Sequence, residues 1–258
     1  MLKDKEFSNF VNGLNILEGD ILYVASDITQ ILLYYKSKKI TFNPNEFIDC
    51  LFTKIGEKGT LLFPTFNWGF CRGETFDYNN TSSETGSLSK IALKRSDFLR
   101  TKHPIYSFVV KGNDKEKLYQ LDDKSGWGKN SIFAYFHEKR AKNLFIGIDY
   151  KNGFTFDHYF EEKVGVDYRY FKKFRSRYIS KDGAEEYKTY EMYVRNLDLN
   201  IVTGIDEKLD NVLVKNLAYE KFFFRKIYFG LVDMGIAGDI MENDIKEKGG
   251  LIYAKKIT

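Results

Sequence analysis

A histidine with a carboxylate three residues further along stands out within residues 155–161, between Thr155 and Glu161. On a helix, residues at i and i+3 share a face, so Glu161 can reach a ring nitrogen of His158. A carboxylate bonded to one nitrogen fixes the tautomer and leaves the other nitrogen free to accept a proton. The spacing is that of a general base with its orienting carboxylate, although a surface helix with an exposed His and Glu has the same spacing.

The remaining histidines and both cysteines offer less chemistry. His103 precedes Pro104, which favours an extended backbone and a structural role. His137 lies in a Phe-His-Glu-Lys-Arg run at a predicted helix end, and we expect it at the surface. Cys50 and Cys71 form no disulfide framework and no metal pattern. We therefore expect no metal.

Elements that alternate between strand and helix would position the His158 segment. A short apolar run at 20–25 predicts a buried strand, and Asn43-Pro44 predicts a helix start, since proline suits the first helical turn. Phe47, Leu51 and Ile55 repeat on one face of that helix, and residues 60–63 predict a second buried strand. Strand, helix and strand in this order favour parallel pairing through a right-handed crossover.

The rest of the chain continues as α/β and then changes texture after residue 168. A long polar loop is expected over 69–85. Further predicted elements are helices at 86–93, 131–139 and 239–248, strands at 106–110, 143–148 and 222–232, and a hairpin of 170–178 with 186–193 around Asp182-Gly183. The fold class predicted is α/β: a single domain with a mixed, largely parallel central sheet flanked by helices, plus an antiparallel hairpin region.

Composition excludes some classes of protein. The chain has 258 residues and a net charge of +4, with no block of like charge long enough for a nucleic-acid arm. No apolar stretch approaches the roughly 20 residues that span a bilayer, and the N-terminus lacks an apolar signal core. We expect a cytoplasmic protein without nucleic-acid or membrane partners, and a homo-oligomer is compatible with the sequence.

Four segments, in order, resemble the aminoglycoside 3-N-acetyltransferase (antibiotic acetyltransferase) family, over about residues 19–169. The segments are Gly59-Thr60-Leu61-Leu62-Phe63-Pro64-Thr65-Phe66; Gly86-Ser87-Leu88-Ser89 with Arg100-Thr101-Lys102-His103-Pro104 and Tyr106-Ser107-Phe108; Trp127-Gly128-Lys129-Asn130-Ser131; and Phe145-Ile146-Gly147 leading to Thr155, His158 and Glu161. The resemblance implies one acetyltransferase-like domain over 1–258, with a core at about 19–169 and hairpin and C-terminal elements at 170–258.

The resemblance also implies a reaction, the transfer of acetyl from acetyl-CoA to an amine of an amino sugar. An amine is mostly protonated at neutral pH, and a histidine with a pKa near 6.5 can hold the proton that it must lose. His158 is the implied base and Glu161 its orienting carboxylate. Thr65 and Ser107 are candidate donors to the tetrahedral oxyanion, or else cap turns.

Binding residues are assigned on the same resemblance. For the acceptor we name Asp157, Thr65 and Trp68; Asp157 would bind an ammonium group, or else is a carboxylate favoured at a helix start. Trp68 and Trp127 could stack on a sugar, or else pack in the core. The residues assigned to CoA are Ser26, Asp27, Thr29, Ser107 and Arg100, with Lys102 adding charge.

The acceptor and the alternatives stay open at this point. The positive net charge favours an anionic acceptor such as a nucleotide-linked amino sugar for surface polysaccharide (lipopolysaccharide) synthesis. The first alternative is an aminoglycoside-modifying resistance enzyme. The second is a catalytically inactive binding protein of the same fold. A metal hydrolase using His158 and Glu161 would need further His or Asp ligands, which the sequence does not cluster.

Overall fold

A seven-stranded mixed sheet runs through the computed structural model, which describes residues 4–205, 207–247 and the backbone of 252–256. The strands are β1 (Ile21–Ser26), β2 (Thr60–Pro64), β3 (Phe76–Asp77), β4 (Leu99–Arg100), β5 (Phe108–Gly112), β6 (Lys142–Ile146), β7 (Arg169–Ile179), β8 (Glu185–Arg195), β9 (Ile201–Ile205), β10 (Tyr219–Phe224), β11 (Ile227–Asp233) and β12 (Ile252–Lys256). The helices are α1 (Lys5–Gly13), α2 (Thr29–Ser37), α3 (Pro44–Ile55), α4 (Ser87–Leu93), α5 (Lys115–Gln120), α6 (Ile132–Glu138), α7 (Asp157–Val164), α8 (Lys208–Lys215) and α9 (Met234–Lys246).

The main sheet has the order β10-β11-β6-β1-β2-β5-β4. Its centre is parallel, since β1 pairs in parallel with both β2 and β6, as the strand-helix-strand pattern predicted. The outer pairs are antiparallel. The predicted mixed α/β sheet is confirmed, with its parallel part confined to the three central strands. The carboxyl ends of those strands share one edge of the sheet, where side chains from separate parts of the chain can meet.

Side chains of β1 alternate between two apolar layers. Leu22 and Val24 pack into the layer that includes residues of α1 to α4, while Tyr23 and Ala25 pack into the layer that includes residues of α6, α7 and α9. This alternation follows from the period of two in a strand. The central strand is therefore covered on both faces, which explains why it reads as a continuous apolar run.

The helix predicted from Asn43-Pro44 is confirmed as α3. The Asn43 side chain accepts from the backbone N–H groups of the first turn, Pro44 takes the first helical position, and Gly56 ends the helix at φ +67°. Phe47, Leu51 and Ile55 are fully buried, so the predicted apolar face is the packed face. Burial of that face fixes α3 against the central sheet.

The hairpin predicted after residue 168 is confirmed as β7 and β8. The two strands pair in one antiparallel register, with Phe174 opposite Tyr190, and Gly183 in the turn has φ +87°. The short strand β3 adds to the hairpin in parallel with β7. This three-stranded sheet carries the chain from the end of α7 back toward the polar loop at 69–85.

Some element predictions were wrong in extent. The single strand expected at 222–232 is two antiparallel strands, β10 and β11, because Arg225 adopts a positive φ of 58° and reverses the chain. The strand expected at 106–110 begins at Phe108, and the last helix begins at Met234. The predicted end of that helix at Lys248 lies outside the described residues. Among the described helices, none is long and apolar enough to cross a membrane.

Candidate active site

Helix α7 stands at the carboxyl edge of the central strands because the chain turns sharply after β6. Gly147 has φ +70°, and a Cβ there would lie 2.1 Å from the backbone oxygen of Asp27, so only glycine fits. The hydroxyl of Thr155 bonds the buried hydroxyl of Tyr23 on β1. His158 is consequently held in the first turn of α7, close to the sheet.

The predicted His158–Glu161 pair is formed. Nδ1 of His158 lies 2.7 Å from Oε2 of Glu161, whose side chain is only 1% exposed. Nη2 of Arg169 forms an ion pair with the same oxygen at 2.8 Å, and the Tyr168 hydroxyl donates a hydrogen bond to Oε1 of Glu161 at 3.0 Å. Since an ionised carboxylate only accepts, His158 carries its proton on Nδ1. Within residues 4–205 and 207–247 its Nε2 has no hydrogen-bond partner, and the side chain is 27% exposed.

The charges of this cluster compete. Burial alone would lower the pKa of His158, but the carboxylates of Asp157 and Glu161 outweigh it and raise the pKa against the opposing charge of Arg169. Burial would raise the pKa of Glu161, but the bond from His158 and the charges of His158 and Arg169 lower it below its ordinary value. Glu161 is thus an ionised carboxylate that orients a base whose pKa is raised.

Asp157 lies beside the pair at the start of α7. Its Oδ1 accepts the backbone N–H of His158 at 2.9 Å and lies 3.5 Å from His158 Nδ1. Burial raises the pKa of Asp157, and the neighbouring Glu161 raises it further. The structure therefore gives Asp157 a helix-start contact, and its role toward an acceptor ammonium stays a prediction.

Aromatic rings connect Trp68 to the imidazole. The Trp68 side chain is hydrogen-bonded to the hydroxyl of Tyr106. The ring centroids of Tyr106 and Trp127 are 4.8 Å apart, and Trp127 packs edge-on against the His158 ring with a centroid distance of 4.9 Å. Trp127 is 3% exposed, so core packing describes it better than stacking on a sugar. Trp68 is half-buried at the other end of this row and keeps its predicted binding role as a prediction.

The loop that carries Trp127 is fastened to α7. Ser125 Oγ donates to Glu162 Oε2 at 2.6 Å, and the backbone N–H of Trp127 donates to Ser125 Oγ at 3.4 Å. Asp123 closes the loop by accepting from the N–H groups of Ser125 and Asn130. Burial raises the pKa of Glu162 to about 7, with Asp123 and Glu191 adding to the rise.

Thr65, Ser107 and Arg100 lie together in the interior. The Thr65 and Ser107 hydroxyls are 2.9 Å apart and both side chains are fully buried. Arg100 Nε donates to Ser107 Oγ at 3.1 Å, and its Nη1 donates to the Thr81 carbonyl at 2.6 Å. Because these groups already bond one another, a role toward the oxyanion or CoA requires the network to open, and that role stays a prediction.

Ser26, Asp27 and Thr29 stand at the carboxyl end of β1, as predicted. Asp27 Oδ1 accepts from the Thr29 N–H at 2.9 Å and from its hydroxyl at 2.6 Å, which orders the start of α2. A Cβ on Gly86 would lie 2.9 Å from the Ser26 carbonyl, so the start of α4 approaches the same point. Three chain segments therefore converge at the predicted CoA site, and the binding of CoA there stays a prediction.

The remaining histidines differ from one another. His103 Nδ1 accepts two backbone N–H groups, and burial lowers the pKa of His103 to about 3, which fits the predicted structural role. The surface position predicted for His137 is wrong: its side chain is 15% exposed, packs on Phe160 and bonds Asp239 at 2.9 Å. In the part of the chain that the structure describes, no group of three or more His, Cys, Asp or Glu side chains could hold a metal ion.

Arg169 and Tyr168 are site residues that the sequence analysis missed. The chain reverses at Gly165, which ends α7 at φ +74°, and so returns both residues to Glu161. The glycine after the helix was the available signal, since glycine commonly terminates helices in the left-handed region. This glycine indicates that the chain turns after the helix, but it does not indicate which side chain contacts the carboxylate of Glu161.

Comparisons with known proteins place the chain among acetyltransferases. The family described as aminoglycoside 3-N-acetyltransferase matches residues 36–221. The fold is similar to that of aminoglycoside acetyltransferase AAC(3)-Xa, with a TM-score of 0.77, 16% identity, and coverage of 94% of this chain and 92% of that one. AAC-IIIb in a binary complex with CoASH has a TM-score of 0.74 and 17% identity, with coverage of 94% of this chain and 96% of that one. AAC-VIa bound to sisomicin has a TM-score of 0.76 and 14% identity, with coverage of 95% of this chain and 98% of that one. No curated protein sequence matched the chain.

Proposed function

Because this chain belongs to the aminoglycoside 3-N-acetyltransferase family, we propose that it acetylates an amine of an aminoglycoside, with His158 as the general base. Family membership makes the chain a CoA-dependent N-acetyltransferase with acetyl-CoA as its co-substrate. The acceptor and the roles of individual residues are the proposed part.

One observation carries the proposal, the orientation of the His158 imidazole. Its Nδ1 is committed to the buried carboxylate of Glu161 at 2.7 Å, while the ring stays partly exposed. The nitrogen left over, Nε2, is therefore the one that can receive a proton from an acceptor. A fixed tautomer with one free nitrogen is what a general base needs.

The chemistry then follows from the acceptor amine. An ammonium group has no lone pair, so it first loses one proton to solvent, and Nε2 of His158 takes a second proton from the nitrogen as the new nitrogen–carbon bond forms. The amine nitrogen bonds the thioester carbonyl carbon, the carbon–sulfur bond breaks, and the CoA sulfur leaves as thiolate. The proton held by His158 can then protonate that thiolate. A base of this kind typically contributes about 10²–10⁴-fold to the rate.

Local charge supports a cationic acceptor. Asp157, Glu161 and Glu162 all lie on the helix of the base. The positive side chains beside them are fewer, namely Lys163 on the same helix and Arg169 against Glu161. A polycationic amino sugar is attracted to such a region, whereas a nucleotide-linked sugar brings phosphates against it. The nucleotide-linked acceptor was expected from the net charge of +4, which counts charges without locating them. Family membership and this local charge support the aminoglycoside alternative over it.

The end of β1 is the proposed CoA side. Ser26 and Thr29 offer hydroxyls there, and α2 begins at Thr29 with its N–H groups toward the same edge. Phosphate groups favour helix N-termini because the N–H groups and the dipole are both positive. Asp27 would serve indirectly, since its carboxylate is bonded to Thr29.

The test is release of CoA thiol from acetyl-CoA with a panel of aminoglycosides, including sisomicin, and of nucleotide-linked amino sugars. We expect turnover with an aminoglycoside and a loss of about 10²-fold or more in His158→Ala. The control is Glu186→Gln, an exposed hairpin carboxylate paired with Lys188.

Each other outcome has a definite meaning. Turnover only with nucleotide-linked sugars would overturn the aminoglycoside acceptor and leave the base assignment intact. Full activity in His158→Ala would overturn the base assignment. An absence of CoA binding by calorimetry, together with no turnover, would favour the inactive binding protein.

A further inference from the structure

Arg169 connects the hairpin to the base–carboxylate pair. Its Nη2 lies 2.8 Å from Glu161 Oε2 and 3.2 Å from His158 Nδ1, and its Nη1 donates to the carbonyl of Tyr193 on β8 at 3.0 Å. Its side chain is 8% exposed. Both strands of the hairpin thus hold this guanidinium in place beside the pair.

The geometry sets two donors on one carboxylate oxygen. A guanidinium only donates, and Nδ1 of His158 also donates when it is protonated, so the 3.2 Å approach between them is not a stabilising bond. Both are instead directed at Oε2 of Glu161, at 2.7 and 2.8 Å. The positive charge of Arg169 is therefore fixed within contact distance of the imidazole, where protonation of His158 would create a second positive charge.

The imidazole of His158 is surrounded by charged groups of both signs. The charged and titratable groups facing the pair are Asp157 and Glu161 from α7, and Tyr168 and Arg169 from the start of the hairpin. The loop of Trp127 contributes an uncharged ring. Two carboxylates beside one imidazole favour its protonated form, in which it cannot accept a proton. Among these groups, Arg169 alone brings a fixed positive charge.

We propose that Arg169 is a positioning residue that limits the protonation which the two carboxylates favour at His158, and so helps His158 act as a base, while it holds Glu161 in its orienting place. The proposal rests on the assignment of His158 as the base. It gives the hairpin a part in catalysis without contact to substrate, because the same guanidinium bonds the β8 backbone. The direction of the effect on the pKa of His158 agrees, since Arg169 lowers it against both carboxylates.

Two variants separate charge from shape. Arg169→Gln keeps an amide donor for Glu161 and removes the charge, whereas Arg169→Lys keeps the charge and removes the planar fork. The titration of His158 is followed by NMR with isotope-labelled histidine, which is practical because the chain has three histidines. The assignment is made with His158→Ala.

We expect Arg169→Gln to raise the pKa of His158 by about one unit and Arg169→Lys to shift it much less. The acid limb of the pH profile of kcat/KM should move upward with it. An unchanged pKa in Arg169→Gln, or equal shifts in both variants, would overturn the proposal. The titration needs no acceptor, so it decides about Arg169 even if the proposed acetylation fails.

A second pair of variants tests the proposal if Arg169→Gln does not fold. The double variant Glu161→Gln with Arg169→Gln removes both members of the ion pair and leaves no buried unpaired charge between them. Measured against Glu161→Gln alone, the double variant isolates the charge of Arg169. We expect a higher pKa of His158 in the double variant, and equal values would contradict the proposal.

Discussion

Ser125 donates a hydrogen bond to Glu162 at 2.6 Å, and this contact ties the loop of Trp127 to the helix that carries His158. Trp127 in turn lies edge-on to the imidazole at 4.9 Å. The position of the base thus depends on a polar contact one helical turn beyond it as well as on Glu161.

The first prediction concerns the charge of Glu162. Burial raises the pKa of Glu162 from an ordinary 4.5 to about 7, so between these values the folded protein holds a proton that the unfolded chain releases. The preference of the folded protein for the protonated Glu162 carboxyl therefore adds to the free energy of unfolding at low pH, and this contribution is lost as pH rises through about 7. Glu162→Gln should therefore raise Tm at pH 8 by about 2–4 °C, the effect of about 1 kcal/mol, a value discounted for partial exposure.

The comparison at pH 5 is the control for Glu162→Gln. There the wild-type carboxyl is largely protonated, so the variant should gain little in thermal denaturation. An equal gain at both values of pH would show that the ionisation of Glu162 is not the cause.

The second prediction concerns Ser125→Ala. The change removes the donor to Glu162 and the acceptor for the Trp127 N–H, and it should lower the free energy of unfolding by about 1–3 kcal/mol. It should also lower kcat/KM by roughly tenfold, because the ring against His158 loses its support. Urea denaturation and thiol release measure the two effects. Ser37→Ala, at an exposed helix end, is the control, and a matching loss in it would contradict the prediction.

The third prediction concerns Glu161→Gln and pH. Wild-type kcat/KM should rise with pH through the pKa of His158, which lies above its ordinary 6.5, because the base acts when neutral. Glu161 raises that pKa, so Glu161→Gln should move the acid limb to lower pH by about one unit. The plateau should fall roughly tenfold or more, since the ring loses its orienting charge. An acid limb that stays in place while the plateau falls would limit Glu161 to a packing role.

The fourth prediction uses two glycines with nearly the same positive φ. Gly147 has φ +70° with the Asp27 carbonyl 2.1 Å from a Cβ, whereas Gly165 has φ +74° and nothing within 4 Å. Gly165→Ala should cost about 1 kcal/mol of stability, the strain of the left-handed region. Gly147→Ala should cost about 3 kcal/mol because the backbones must separate as well. Equal midpoints in guanidinium chloride would show that the close approach at Gly147 is relieved without cost.

Local patterns in the sequence predicted several of the helices and strands. Asn43-Pro44 marked the start of α3 because capping and backbone conformation depend on neighbours in the chain. The hairpin around Gly183 was predicted for the same reason. The division of 222–232 into two strands was not predicted, because Arg225 has a positive φ that residues other than glycine rarely adopt.

The burial of candidate binding residues could not be predicted from the chain. Thr65 and Ser107 come from different strands, and their hydroxyls meet only because β2 pairs with β5. His137 lies in a polar run, yet α7 and α9 enclose its ring. The location of charge could not be predicted for a related reason: the net value of +4 sums over the whole sequence, while the fold decides that carboxylates of α7 lie near the imidazole.

The sequence by itself determined the family and the His158–Glu161 pair, because both depend on residue types at short, fixed spacings and i, i+3 contact follows from helix geometry. Only the tertiary structure decided what surrounds that pair. Arg169 reaches Glu161 through the reversal at Gly165, and Trp127 reaches His158 through a loop fastened by Ser125. Contacts between elements depend on how the elements pack, and no spacing along the chain encodes that packing.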